Sequence, residues 1–189
     1  MPGRASSSDA ADFAAGPFAI LPASPGDAPA IAHIHVDAWR AAYEGIVPAS
    51  HLAGLSVERR EAAWRASLAA GSPEVLVARD GAQVIGWIAF GACRDDDAPV
   101  FRGEVHAIYL APSHWGRGGG PQLWRHARRR LARQVFTGAS LWVLADNARA
   151  LRFYRAEGFM PDPAGSRDIE RGGRLLRELR YLVALDTAA

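Results

Sequence analysis

Residues 105–123 read VHAIYLAPSHWGRGGGPQL, a β-branched and aromatic run followed by Pro-Ser, a cluster of glycines and a helix-like segment. This order predicts a strand, a turn and a helix. Glycines leave the backbone open to a ligand, and the helix start offers unpaired N–H groups at a positive dipole end. The glycines are Gly116, Gly118, Gly119 and Gly120. The segment therefore predicts an anion site suited to a pyrophosphate.

Two common nucleotide-binding patterns do not fit this turn. The P-loop pattern G-x-x-x-x-G-K-[ST] requires a lysine, and the sequence contains none. The dinucleotide fingerprint requires G-x-G-x-x-G, and the glycines here have a different spacing. The anion site must therefore belong to another class of protein.

Length and composition predict one domain with a sizeable core. The chain has 189 residues, of which 49% are hydrophobic. All 22 basic residues are arginine, and 20 acidic residues reduce the formal charge to +2. This balance argues against a nucleic-acid partner. The lack of lysine excludes Schiff-base and lysine general-base chemistry from a side chain.

The chemistry of the single cysteine and the histidines predicts no metal. Cys93 has no second cysteine for a disulfide or a cysteine-rich zinc site. His33 and His35 lie two residues apart on a presumed helix, so their side chains diverge. The lone cysteine fits a reducing cytoplasm, and no apolar run is long enough for a secretion signal or a membrane helix. We expect a cytoplasmic protein without a membrane partner.

The order of elements predicts a mixed α/β sheet with the glycine turn near its middle. Residues 1–16 are small and polar and predict a disordered tail, which leaves residues 17–189 as one domain. Strands are predicted over residues 18–21, 75–78, 84–90, 104–110, 141–144 and 175–185. Helices are predicted over residues 27–44, 56–70, 121–135 and 147–157. Gly71 and Gly158 are the expected left-handed helix stops.

Two signatures resemble the GNAT superfamily of acyl-CoA-dependent N-acyltransferases. Residues 115–120 are similar to its R/Q-x-x-G-x-G/A turn, with Gly118 and Gly120 in the glycine positions. Residues 147–159 reproduce its N-x-x-A-x-x-F-Y-x-x-x-G-F pattern. Residues 86–91 and 103–110 also resemble its paired central strands. Two signatures in the right order identify the chain as a member of the superfamily.

This resemblance implies the GNAT fold, a mixed and mostly antiparallel sheet splayed between the fourth and fifth strands and flanked by helices. Acetyl-CoA would lie in the gap, with strand backbone on the pantetheine arm and turn amides on the pyrophosphate. Trp115 departs from the usual Gln or Arg, so Arg117 is the candidate for charge. The implied cofactor-binding residues are Ile108, Tyr109, Leu110, Trp115, Gly116, Arg117, Gly118, Gly119, Gly120, Asn147 and Phe153.

The resemblance also implies an N-acetyltransferase in which an amine attacks the thioester directly in a ternary complex. Tyr154 matches the tyrosine that protonates the departing thiolate. Asn147 either contacts the cofactor or caps its helix. The alternative function is a non-catalytic acyl-CoA-binding or sensing domain.

The general base and the acceptor are less defined. On a regular strand Glu104 and His106 share one face with Ile108, and either could act as base, through water. Trp39 and Tyr43 lie on a helix that walls the acceptor site in this superfamily. The expected acceptor is a small-molecule or peptide amine. Whether the protein forms a homodimer is left open.

Two charged segments allow two interpretations each. The acidic loop at residues 95–97 is solubilising or attracts a cationic amine. The basic helix after the glycine turn presents a solvated face or attracts the 3′-phosphate of CoA or an acidic partner. Its arginines are Arg125, Arg128, Arg129, Arg130 and Arg133.

Overall fold

The computed structural model describes residues 16–185, which form one seven-stranded mixed sheet with helices packed against it. The predicted disordered tail, apart from Gly16, and the last four residues lie outside the described range. The strands are β1 (Ala19–Pro22), β2 (Glu74–Asp80), β3 (Gln83–Ala92), β4 (Arg102–Leu110), β5 (Gly138–Leu144), β6 (Met160–Arg171) and β7 (Arg174–Ala184). The helices are α1 (Ala28–Ala42), α2 (Ala49–Ala53), α3 (Val57–Ala70), α4 (Gly119–Arg133) and α5 (Ala148–Ala156).

The sheet is antiparallel throughout except at its middle. Its strand order is β1-β2-β3-β4-β5-β7-β6, and β4 and β5 run parallel. These two strands pair over three positions, residues 102–104 with residues 138–140, and then separate. The predicted GNAT fold and its splay between the fourth and fifth strands are therefore confirmed.

Alternation along β3 divides the core between the two faces of the sheet. Ile88 and Phe90 join the larger cluster, which contains Leu123 and Leu131 of α4. Trp87 lies on the other face and packs with the residues of α1. One strand thus fixes a helix on each side, and α4 follows the glycine turn directly.

A β-bulge in β4 changes the predicted side-chain alternation. Ala107 pairs with Ala89 and Val105 with Phe90, so His106 is an extra residue without its own partner. Val105 consequently joins Ile108 in the larger cluster, whereas Ala107 lies in the cluster on the opposite face. The expectation that Glu104 and His106 share one regular face with Ile108 is wrong, because the bulge interrupts the period of two.

The predicted helix and strand ends are confirmed where local chemistry sets them. The Ser56 side chain accepts the Arg59 N–H and caps α3, which ends at Gly71 with a φ of 70°. Gly158 has a φ of 87° after α5. These positions use a hydroxyl acceptor and the left-handed freedom of glycine, which depend little on tertiary contacts.

Other boundaries differ because packing extends or adds elements. Helix α2 was not predicted, and it is held by Leu52, which packs with Val47 and Leu176. Helix α4 begins at Gly119, two residues before the predicted start. Strand β6 tolerates Pro161 because it is the edge strand of the sheet. Within residues 16–185, no helix is both long and apolar enough to span a bilayer.

His35 is a buried imidazole in α1 that the fold keeps neutral. Its ring lies 5.7 Å from Trp87 and 5.2 Å from Tyr109, measured between ring centroids. Neither of its nitrogens has a hydrogen-bond partner. Burial, with a smaller contribution from the Arg60 charge, lowers the pKa of His35 to about 3. The native state therefore excludes the imidazolium that an unfolded chain would form.

We predict that His35 makes the protein less stable as the pH falls below 6.5, because only the unfolded chain then gains a proton at this residue. At pH 5 the cost is about 2 kcal/mol, at 1.36 kcal/mol per pH unit. His35→Phe removes this cost. Urea unfolding measures the free energy of unfolding at pH 7.5 and at pH 5. From the higher to the lower pH, the value for the variant should rise by about 2 kcal/mol relative to that for wild type. A pH-independent difference would contradict the prediction.

Candidate active site

The separation of β4 from β5 opens a cavity of about 510 Å³. One wall is β4 with the glycine turn, and the other is β5 with α5. Its lining residues are Ala42, Tyr43, Val105, His106, Ala107, Ile108, Tyr109, Leu110, His114, Trp115, Gly116, Gly118, Gly119, Gly120, Pro121, Trp142, Val143, Asn147, Arg149, Ala150, Phe153 and Tyr154. Both sequence signatures therefore meet in one cavity, although 26 residues lie between them in the sequence.

The glycine turn forms an anion cradle at one end of this cavity. Gly118 precedes α4 with a φ of 86°, a left-handed value that other residues rarely adopt. The first N–H groups of α4 have no partner within the helix, and Pro121 removes one that would otherwise be unpaired. A Cβ at Gly119 would lie 2.6 Å from Leu110 Cδ2, so this position also requires glycine for packing.

The backbone of β4 presents alternate residues to the cavity. Ala111 N–H donates to Ile85 of β3, so Tyr109, two residues earlier, also directs its main-chain groups to β3. Ile108 and Leu110 face the gap instead, where β5 has already separated. The main-chain groups of Ile108 and Leu110 are therefore directed to the cavity, and Tyr109 also lines it.

Tyr154 lies on α5 in the wall opposite the glycine turn. Its ring packs 5.2 Å from Phe153 and 5.7 Å from Phe159, between ring centroids. Burial raises the pKa of Tyr154 above its usual range, with a smaller contribution from Tyr43. The phenol is therefore protonated throughout the physiological pH range.

Asn147 caps α5 and also lines the cavity. Its Oδ1 accepts the Ala150 N–H at 3.0 Å. Burial raises the pKa of the Tyr43 phenol, and contacts with Tyr109 and Asn147 oppose that rise. The amide thus connects the start of α5 to Tyr43 in the cavity wall.

Trp39 lies behind Tyr43 in the wall of the cavity. Its indole N–H donates to the Tyr109 hydroxyl at 2.9 Å, and its ring lies 4.7 Å from Tyr43. Tyr43 lines the cavity, whereas Trp39 does not. The two predicted acceptor residues are therefore adjacent, with Tyr43 in front.

His106 and Glu104 have different surroundings although they are close together. Glu104 is 2% exposed and accepts the Arg94 backbone N–H at 2.9 Å and the Arg94 side-chain Nε at 3.1 Å. Its Oε2 lies 3.9 Å from His106 Nε2. His106 lines the cavity and Glu104 does not.

The bulge gives His106 a defined tautomer and a low basicity. Nε2 donates to the Ala92 carbonyl at 3.2 Å, which leaves Nδ1 with the lone pair. Burial and the Arg94 charge lower the pKa of His106, while Glu104 opposes them. The imidazole is therefore neutral near pH 7 and can accept a proton.

The structure places a different arginine beside the glycine turn from the one predicted. Arg117 is exposed and does not line the cavity. Trp115 donates its indole N–H to the Leu110 carbonyl at 2.9 Å. Arg149, which sequence reasoning did not select, lies with its Cζ 3.5 Å from the centroid of the Trp115 ring. Its place inside the second signature was the only available signal.

The acidic loop is held by an arginine. Arg180 is 7% exposed and pairs with Asp97 at 2.7 Å, Asp162 at 2.8 Å and Asp95 at 3.2 Å. Asp95 also accepts the indole N–H of Trp142 at 2.9 Å. Two of the three aspartates in this loop are thus engaged in structure. Within the described residues, no group of three His, Cys, Asp or Glu side chains could hold a metal.

The glycine turn, the two diverging central strands and the Tyr154 phenol line one cavity of an α/β protein. Residues 30–159 match the Acetyltransferase (GNAT) family. The chain belongs to this family of N-acetyltransferases.

Individual relatives agree with this assignment. The uncharacterized N-acetyltransferase YuaI of Bacillus subtilis is 31% identical over 150 residues, which are 79% of this chain and 83% of that protein. An N-acetyltransferase from Staphylococcus aureus shares the fold with a TM-score of 0.71 and 20% identity, over 89% and 99% of the two chains. The PaiA N-acetyltransferase of Thermoplasma acidophilum, solved with coenzyme A, has a TM-score of 0.68 and 17% identity, over 85% and 97%.

We predict that Arg94→Gln raises the pKa of His106, because it removes a positive charge that disfavours the imidazolium. Glu104→Gln should lower the same pKa, since it removes the opposing carboxylate. NMR titration of the imidazole Cε1–H, assigned with a His106→Asn variant, measures both changes. Shifts of the same sign in the two variants would contradict this electrostatic account.

Proposed function

We propose that the protein transfers an acetyl group from acetyl-CoA to an amine acceptor by direct attack in a ternary complex. The observation that carries the proposal is the position of Tyr154, which shares one cavity with the glycine cradle and the unpaired edge of β4. This arrangement provides a phosphate site, a backbone for the pantetheine arm and a proton donor for sulfur.

The cofactor would extend along β4 from the glycine turn. Its diphosphate would accept hydrogen bonds from N–H groups around Gly118, Gly119 and Gly120 at the start of α4. Its pantetheine amides would bond the main chain of Ile108 and Leu110, whose polar groups face the gap. The Leu110 carbonyl already accepts the Trp115 indole N–H, so its second lone pair serves the ligand. The complex of PaiA with coenzyme A supports this cofactor class.

In the reaction, the amine nitrogen forms a bond to the thioester carbon and the carbon–sulfur bond breaks. The amine loses a proton to the base, and the sulfur departs as a thiolate that gains one. Tyr154 donates its hydrogen bond, and then a proton, to this sulfur. The proton that the base took from the amine then returns through solvent to the phenolate, which regenerates both the base and the tyrosine. The raised pKa of Tyr154 favours this return.

His106 is the base in this proposal, and Glu104 is a positioning residue. Nδ1 of His106 carries the free lone pair, and its ring lines the cavity. Glu104 is buried against Arg94, where it influences the imidazole without reaching the acceptor. A bridging water would connect His106 to the amine where direct contact fails.

The acceptor is an amine, from a small molecule or a peptide, that binds beside Tyr43. The aromatic pair of Tyr43 and Trp39 would provide the apolar wall for the part of the acceptor that adjoins the amine.

Tyr154→Phe tests the enzyme against a CoA-binding domain without activity. We expect kcat to fall about 100-fold or more, since the sulfur loses its proton donor, and the Kd for CoA to stay nearly constant. Thiol release from acetyl-CoA across an amine panel measures kcat, and calorimetry measures Kd. Tyr181→Phe is the matched control, because Tyr181 is a buried core residue outside the cavity. CoA binding without acceptor-dependent release by the wild type would contradict catalysis.

His106→Asn tests the base. Without the imidazole, the rate depends on amine that is already neutral, so we expect the largest loss at low pH. The low pKa of His106 keeps wild-type activity present below pH 6.5, and the variant's kcat/KM should rise about tenfold per pH unit up to the amine pKa. His33→Asn, at an exposed site on α1, is the control. Parallel pH profiles for His106→Asn and wild type would exclude His106.

A further inference from the structure

Trp115 occupies the position from which the resemblance expects a Gln or Arg side chain to reach a phosphate. An indole carries no positive charge that it could offer to a phosphate. The Trp115 indole N–H is also already used, since it donates to the Leu110 carbonyl at 2.9 Å. The ring is thereby fixed at the end of β4, beside the glycine cradle.

Arg149 lies on that ring from the other side of the cavity. Its Cζ is 3.5 Å from the centroid of the Trp115 ring, a close cation–π contact. Trp115 follows β4 and Arg149 is the second residue of α5, so the pair connects the two walls. Both side chains line the cavity together with Gly118, Gly119 and Gly120.

Apart from the contact with Trp115, the surroundings of Arg149 do not favour its positive charge. It lies in the first turn of α5, where the helix dipole disfavours a cation. Among residues 16–185, no ion pair joins its guanidinium to a carboxylate. Arg152, one turn further along α5, adds a second positive charge nearby. An anion in the cavity would relieve all three unfavourable features.

We propose that Arg149, held flat on Trp115, binds the diphosphate of CoA and supplies the side-chain charge that Trp115 does not. This inference rests on the proposed use of acetyl-CoA. The planar guanidinium can donate two parallel N–H bonds to phosphate oxygens while its face stays on the indole. Arg149 is thus a cofactor-binding residue contributed by the second signature, and it lines the cavity whereas Arg117 does not.

Binding of three ligands to wild type and to three variants tests this assignment. The ligands are CoA, 3′-dephospho-CoA and pantetheine, which differ by the 3′-phosphate and by the whole phosphate-bearing part. The variants are Arg149→Ala, Arg149→Lys and Arg152→Ala. Arg152→Ala is the matched control, because it removes one positive charge from the same helix outside the cavity.

We expect Arg149→Ala to weaken CoA and 3′-dephospho-CoA by the same factor, on the order of tenfold or more. Pantetheine affinity should not change, since it has no phosphate. Arg149→Lys should recover only part of the loss, because an ammonium lacks the planar fork. Arg152→Ala should change each Kd by less than about twofold.

Several results would overturn the assignment. Equal losses in Arg149→Ala and Arg152→Ala would indicate general electrostatics, and an equal loss for pantetheine would indicate a structural role. A loss for CoA that disappears with 3′-dephospho-CoA would place Arg149 at the 3′-phosphate. If wild-type protein binds CoA and Arg149→Ala binds it equally well, this inference alone is overturned. Wild-type protein that binds none of the ligands overturns the proposed function and this inference together.

Discussion

The short parallel pairing of β4 with β5 is the constraint on which the site depends. Three paired positions are enough to join the two halves of the sheet, and the strands then diverge. Divergence leaves the main-chain groups of Ile108 and Leu110 without a neighbouring strand, and unpaired backbone groups in a protein interior require partners. A ligand that offers amides along its length satisfies this requirement. The same gap brings the start of α4 and the start of α5 to one cavity.

The bulge at His106 has an equally local cause and a wide effect. One extra residue in β4 keeps Val105 in the core and turns the imidazole toward the cavity, where the Ala92 carbonyl selects its tautomer. Glu104, which a regular strand would align with Ile108, is instead buried against Arg94. The bulge therefore separates an imidazole that lines the cavity from a carboxylate that adjusts its basicity.

Sequence reasoning succeeded where chemistry is local and failed where it is not. The glycine turn, the Ser56 cap and the Gly158 stop follow from backbone freedom and short-range hydrogen bonds, so their positions were predictable. The bulge depends on register with β3, which no alternation of residues in β4 reveals. Arg149 meets Trp115 across 33 intervening residues, and only the folded chain brings them together.

Arg180 connects the β6–β7 hairpin to the loop that follows Arg94. It joins β7 to Asp162 of β6 and to Asp95 and Asp97 in the loop that follows Arg94. Opening of the β6–β7 hairpin would release that loop, and the loop positions the guanidinium that pairs with Glu104. The hairpin and the surroundings of His106 are therefore mechanically linked through two arginines, so a disturbance at the edge of the sheet reaches the cavity wall.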